Sequence, residues 1–185
     1  MAEKTKLALR DAFYKVVSEK PLSKVTISDI TDTCGVSRMT FYYHFKDIDS
    51  LLAWTCRVNC ENLILNNKDI SDWKDAFRAI LKATLHDKSF LMNVYPYVPH
   101  EDVRAYYVWV MDVLNRRILE METRNLEIVD SDVDFILHFA NSALADIVIV
   151  WLDGGMRESD IDELIVNVDK LLTPAIPAII KSFAK

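Results

Sequence analysis

Apolar residues recur along this chain with helical periodicity, and a few capping residues and prolines set where each periodic stretch starts and stops. In "TKLALRDAFYKVVSE", residues 5–19, Leu7, Leu9, Ala12, Phe13, Val16 and Val17 form one apolar stripe, and Pro21 ends the helix they predict. Thr26 and Asp29 then read as a T-x-x-D capping box, so a short second helix should begin just after Thr26 and close at Gly35. Ser37 caps a third helix, and Asp47 caps a fourth that runs into the low 60s. Farther on, Ser71 is expected to open a helix reaching about Asp87, with a shorter one behind it. Two prolines in "YPYVPHED" interrupt the chain. Long helices follow at roughly 101–122, 131–153 and 159–183, the last two separated at Gly154 and Gly155, with Ser159 as the expected cap. Pro174 and Pro177 should kink or loosen the final helix.

Composition agrees with this pattern. Hydrophobic residues make up 51% of 185 residues, yet there are only 3 Gly and 5 Pro, too little turn chemistry for many short strands. The expected class is all-α: an N-terminal three-helix bundle at 1–48 and a larger helical domain at 49–185, about nine helices in all. Three cysteines without finger spacing and an N-terminus without an apolar run suit a reduced, cytoplasmic protein. "FILHFANSALADIVIVWL" is the most membrane-like segment. His138, Asn141, Ser142 and Asp146 interrupt it, so the expectation is a helix buried in protein and no membrane partner.

Net charge is −6, but it is unevenly spread. Residues 1–60 hold nine Lys/Arg against seven Asp/Glu (+2), and the remainder holds 13 against 21 (−8). A basic N-terminal end suits a polyanionic partner, although a solvated helix surface yields the same bias.

The N-terminal end also carries the densest motif. From Thr26 to Phe45, a helix, a glycine-containing turn and a second helix make the unit of a helix-turn-helix. Ile27, Ile30, Val36, Phe41 and Phe45 can meet on one side as core. Ser37, Arg38, Met39, Thr40, Tyr42, Tyr43 and His44 are left facing outward, and aromatics placed there bury little. The N-termini at Thr26 and Ser37 can attract phosphate, and Lys46 adds a positive charge just beyond. Arg38 can reach guanine edges and Met39 a thymine methyl. On pattern alone, an ordinary helical pair and a DNA reader stand level.

The segment "VTISDITDTCGVSRMTFYYHFKDIDSLL" resembles the DNA-binding domain of the TetR family of bacterial transcription regulators. The match runs through Thr26, Ile30, Gly35, Val36, Ser37, Thr40, Phe41, Tyr42, His44, Phe45, Lys46, Leu51 and Leu52. The resemblance implies a homodimer that reads a pseudo-palindromic operator in double-stranded DNA and a C-terminal domain that dimerises and binds a small-molecule effector. It also implies that Thr26, Thr40, Tyr42, His44 and Lys46 position phosphates, with Arg38, Met39 and Tyr43 as candidates for base contact. Met39 departs from the small residue or proline common at its position. "DWKDAFRAILKATLHDKSFLMNVY" and "IVIVWLDGGMRESDIDELIVNVDKLL" resemble the subgroup that includes the regulator of dihydroxyacetone kinase genes.

The C-terminal domain offers two further candidates. The helix at 131–153 is apolar on more than one side, with Ile136, Ala140, Ala143, Ile147 and Val150 on one face and Phe135 and Phe139 on a neighbouring one. Together with the last helix it suits a four-helix dimer interface. Phe90, Tyr95, Tyr97, Tyr106, Tyr107 and Trp109 could line a ligand cavity, with His138, Asn141 and Asp146 as its polar groups; an ordinary core reads equally well. Cys56 and Cys60 lie one helical turn apart, and His86 and His100 stand beside Asp87 and Glu101. They raise the alternative of a metal-responsive regulator, against the expectation of no metal and no cofactor. A co-regulator module that has lost operator binding is the other alternative. No phosphate-binding glycine loop, H-E-x-x-H or G-x-S-x-G is present, so no enzymatic activity is expected.

Overall fold

The computed structural model describes residues 2–184. Among them are nine α-helices, two short 3-10 turns and no strand. They run α1 (Ala2–Glu19), α2 (Ile27–Cys34), α3 (Arg38–His44), α4 (Ile48–Asn66), α5 (Trp73–His86), α6 (Lys88–Val94), α7 (His100–Thr123), α8 (Asp130–Asp153) and α9 (Asp160–Phe183). The chain divides into two compact units, one of residues 1–62 and 87–98, the other of residues 63–86 and 99–185.

Local chemistry explains the boundaries. Thr26 makes the full capping box: its hydroxyl oxygen accepts from Asp29 N–H at 3.2 Å, and its own N–H donates to Asp29 Oδ2 at 2.8 Å. Gly35 ends α2 in the left-handed region at φ 69, and the Val36 N–H donates back to Thr31 C=O at 3.0 Å. Asp47 caps α4, accepting from Ser50 N–H at 2.8 Å. Two expected caps fall elsewhere. α5 opens at Trp73 because the Asp72 carboxylate, rather than Ser71, accepts a helix N–H, that of Lys74 at 2.7 Å. Ser159 is itself in a helical conformation and makes no capping bond; its hydroxyl donates instead to Asp160 Oδ1. α9 continues through Pro174 and Pro177, whose missing N–H groups fall on exposed stretches where water can reach the freed carbonyls.

In the first unit, α1 packs on α2, α3 and α6 around a core that includes Leu9, Phe13, Val17, Ile30, Phe41, Leu51 and Phe90. The Phe90 ring lies edge-on to Phe13 and stacks on Tyr14 at 4.2 Å between centroids. Tyr14 also donates its hydroxyl to Asp87 Oδ2 at 2.8 Å and accepts from Asn59, so it ties α1 to α4 and to the residue just before α6. Burial and the neighbouring Asp87 charge push the Tyr14 phenol above its ordinary value.

In the second unit, α7 lies along α8, and α5 packs on α7 and α9. Phe77, Ile80, Leu81, Met111, Leu144, Val148, Trp151, Met156, Ile161 and Ile165 are buried there. Trp151 donates its indole N–H to Arg157 C=O at 3.0 Å across the glycine turn, which holds the α8–α9 connection. By length and composition α8 could cross a membrane. In this fold Leu137, Asn141, Leu144, Ala145 and Val148 are buried along one of its sides.

Candidate functional site

The α2–turn–α3 unit separates packing from display within single helical turns. Phe41 is fully buried and Phe45 nearly so, their rings 6.0 Å apart, and Phe45 continues to Trp54 at 5.6 Å. On the opposite side Met39 is 78% exposed, Tyr43 81% and Tyr42 50%, with Ser37, Arg38 and Lys46 exposed beside them. These six side chains share the outer surface of α3 and its two ends.

Three members of the expected set are engaged in holding the fold. Ser37 Oγ accepts from Thr40 N–H at 3.1 Å and lies 2.9 Å from Thr40 Oγ1, so this pair caps α3. Thr26 Oγ1 donates to Asp29 Oδ2 at 2.7 Å. His44 is half-buried, its ring edge-on to Tyr43 at 4.9 Å. The Lys20 ammonium and Thr26 hold the Asp29 carboxyl down at about 2, and Lys20 Nζ lies 2.7 Å from Asp29 Oδ2. That ion pair offsets the one negative charge at the start of α2.

The expected ligand residues are not gathered in one place. Phe90 and Tyr95 belong to the first unit, Phe90 in its core. In the second unit the Tyr106 ring is 5.3 Å from Tyr107 and 6.2 Å from Trp109. His138 is exposed, and Asp146 is taken up by Arg104 at 2.7 Å. A cavity of about 480 Å³ lies between the start of α5 and helices α7, α8 and α9, and Asn141 is the only one of the nine expected ligand residues in its wall. Trp73, Leu119, Leu144, Ile176 and Ile180 supply much of its apolar lining. Asn115, on α7, also lines it and was not among the sequence candidates. The available signal was its place between Met111 and Leu119, four residues from each, on the buried stripe of α7.

Of the expected dimer residues, Ile136 and Ala140 border this cavity and Ile147 is half-buried. Ala143 is exposed and Val150 is 70% exposed. Burial raises the thiols of Cys56 and Cys60 to about 11 each, with added repulsion from Asp87 and Glu61 respectively. They are protonated packing thiols at neutral pH rather than ready thiolate ligands. Among the described residues no group of three His, Cys, Asp or Glu side chains converges.

Residues 9–53 match the model of the bacterial regulatory proteins of the tetR family, and residues 71–173 match that of a transcriptional regulator C-terminal region from the same family series. The chain belongs to the TetR family of transcriptional regulators. Among curated relatives it is 24% identical, over 91 residues, to the HTH-type dhaKLM operon transcriptional activator DhaS of Lactococcus lactis subsp. lactis (strain IL1403). That match spans 49% of each chain, about half the relative's length. The uncharacterized HTH-type transcriptional regulator YxbF of Bacillus subtilis (strain 168) is 37% identical over 62 residues, 33% of this chain and 16% of its own. Among solved structures, the dihydroxyacetone kinase operon activator DhaS superposes with a TM-score of 0.69 at 21% identity, covering 98% of both chains. A TetR transcriptional regulator from Streptococcus agalactiae 2603V gives 0.56 at 19% identity, covering 100% of this chain and 96% of its own. At these identities the structural likeness concerns the fold, which is the all-α TetR fold.

Proposed function

We propose that this TetR-family regulator binds a pseudo-palindromic operator as a homodimer through the outer face of α3, and that a small molecule bound in the second unit modulates that binding. The observation that carries the reading is the display of Arg38, Met39, Tyr42 and Tyr43 on a helix whose Phe41 is wholly buried. A folded protein gains no stability from adjacent exposed tyrosines, whereas a DNA groove would bury them. In this reading Arg38, Met39 and Tyr43 face base edges. Thr26, Ser37, Thr40, Tyr42, His44 and Lys46 set the register against phosphates, the three capping hydroxyls from fixed positions.

Dimerisation through α8 and α9 is supported by the apolar side chains these helices leave outward. They are Phe135, Phe139 and Val150 on α8, and Val166 and Leu171 on α9. The apolar cavity in the second unit supports an effector site. A gel-shift series against the DNA upstream of the chain's own coding region tests operator binding. A retarded band that survives an excess of random duplex is the expected result. Binding that is salt-sensitive but indifferent to sequence refutes it.

A further inference from the structure

Two amides, Asn115 and Asn141, stand in the mostly apolar wall of the cavity, which also carries Ser71, Asp72, Lys74, Glu122 and Thr173. Asn115 Nδ2 donates to Asn141 Oδ1 at 2.8 Å, and Asn141 is 0% exposed. This one bond leaves Asn115 Oδ1 and Asn141 Nδ2, both buried, without a partner among the protein's own groups. Exchanging O and N in both amides would reverse which residue donates and would still leave one donor and one acceptor, so the pairing does not depend on amide orientation. Buried polar groups left unmatched are costly, and here a donor and an acceptor are unmatched side by side.

We infer that the cavity takes an uncharged molecule with an apolar body and an adjacent donor and acceptor, as in a carboxamide, with Asn115 and Asn141 as its head-group site. The inference rests on the effector reading above and names the chemical class of that effector. A negative charge is disfavoured by the same geometry: a carboxylate could use the Asn141 donor but would face the Asn115 carbonyl oxygen, and Asp72 and Glu122 stand in the same wall. The one cation in the wall, Lys74, lies 3.4 Å from Asp169 and 3.8 Å from Asp72, so it is already balanced. Apolar residues supply the rest of the affinity through burial, and the cavity volume suits a ligand of two or three fused or linked rings.

The test uses the full chain and three probes of one shape: 2-naphthamide, 2-methylnaphthalene and 2-naphthoate, titrated by calorimetry. The amide should bind about tenfold or more tighter than the hydrocarbon, and the carboxylate should be the weakest of the three. Asn141→Leu replaces the amide with an apolar side chain of similar size and should erase the preference by weakening the amide probe while sparing the hydrocarbon. Asn115→Leu makes the same prediction and serves if the first variant fails to fold. Equal affinities in the wild type, a preference that survives in a folded variant, or no binding of any probe overturns the inference. Operator binding measured with saturating 2-naphthamide separates the two levels. If the amide binds through Asn115 and Asn141 and DNA affinity is unchanged, the ligand class stands and the effector reading fails.

Discussion

Phe41 and Tyr43 are two residues apart on α3 and should behave oppositely when cut to alanine. Phe41 is fully buried against the first unit's core and touches Tyr42 edge-on and Phe45 at an angle. Removing a buried ring loses about 2–3 kcal/mol of transfer free energy plus a cavity term, about 3–5 kcal/mol in total. A domain of this size shifts its melting point by about 4–8 °C per kcal/mol, so Phe41→Ala should lower the melting of the first unit by more than ten degrees. Tyr43, 81% exposed, should cost no more than about 0.5 kcal/mol. Because the chain has two units, a single melting curve would mix them. Hydrogen exchange at the amides of α2 and α3, followed by mass spectrometry, reads the affected unit directly. Phe41→Ala should strip that protection, and Tyr43→Ala should leave it intact while weakening operator binding. If Tyr43→Ala costs as much protection as Phe41→Ala, the tyrosine is a packing residue and the division of α3 into core and contact faces is wrong.

Arg38→Ala should weaken binding to the operator by about 5–150-fold, the worth of about 1–3 kcal/mol for a bidentate base contact, and leave random-duplex affinity nearly unchanged. Tyr42→Ala should weaken both equally, which fluorescence anisotropy on the two duplexes checks. Gly35→Ala has open space around the new methyl but must keep φ at 69, so its cost should come from the backbone alone, about 1–2 kcal/mol in urea unfolding of the first unit. The Asp29 carboxyl, held at about 2 by Lys20 and Thr26, binds its proton more weakly in the folded state than in the unfolded one. Its contribution is therefore complete above about pH 4 and lost as pH falls through about 2. A carboxyl-detected NMR titration should find that midpoint near 2, and Lys20→Gln should move it upward; an ordinary carboxylate midpoint in the wild type contradicts the cap geometry.

The helix-turn-helix was legible because its signals are local. The Thr26–Asp29 box, the left-handed Gly35 and the Ser37 cap each involve residues within four positions, and the buried set Ile30, Phe41 and Phe45 follows from helical phase. Ser71 and Ser159 look like caps in the sequence because serine, aspartate and a preceding loop offer the same cap on paper. The choice between neighbours depends on which carboxylate or hydroxyl meets a helix N–H. The aromatic run from Phe90 to Trp109 misled for another reason. Composition gathers these rings into one stretch, but α6 and α7 carry them into different units, and the division falls at Pro99, the second of the two prolines that already break the chain there.

The polar residues of α8 show how much more phase could have said. His138, Asn141 and Asp146 each interrupt an apolar helix and so look alike in the sequence, yet a polar residue's fate follows the stripe it falls on. Asn141 is four residues after Leu137, three before Leu144 and seven before Val148, all buried, so it must be buried with them. His138 and Asp146 lie on other phases and are exposed, Asp146 paired with Arg104. Asn115 repeats the position on α7, between buried Met111 and Leu119. Two helices that each place one amide in an apolar stripe, and that pack along each other, have few places to put those amides except together. Once together, two amides that make only one mutual bond still need a further donor and acceptor, and the cavity they line is where those can be supplied.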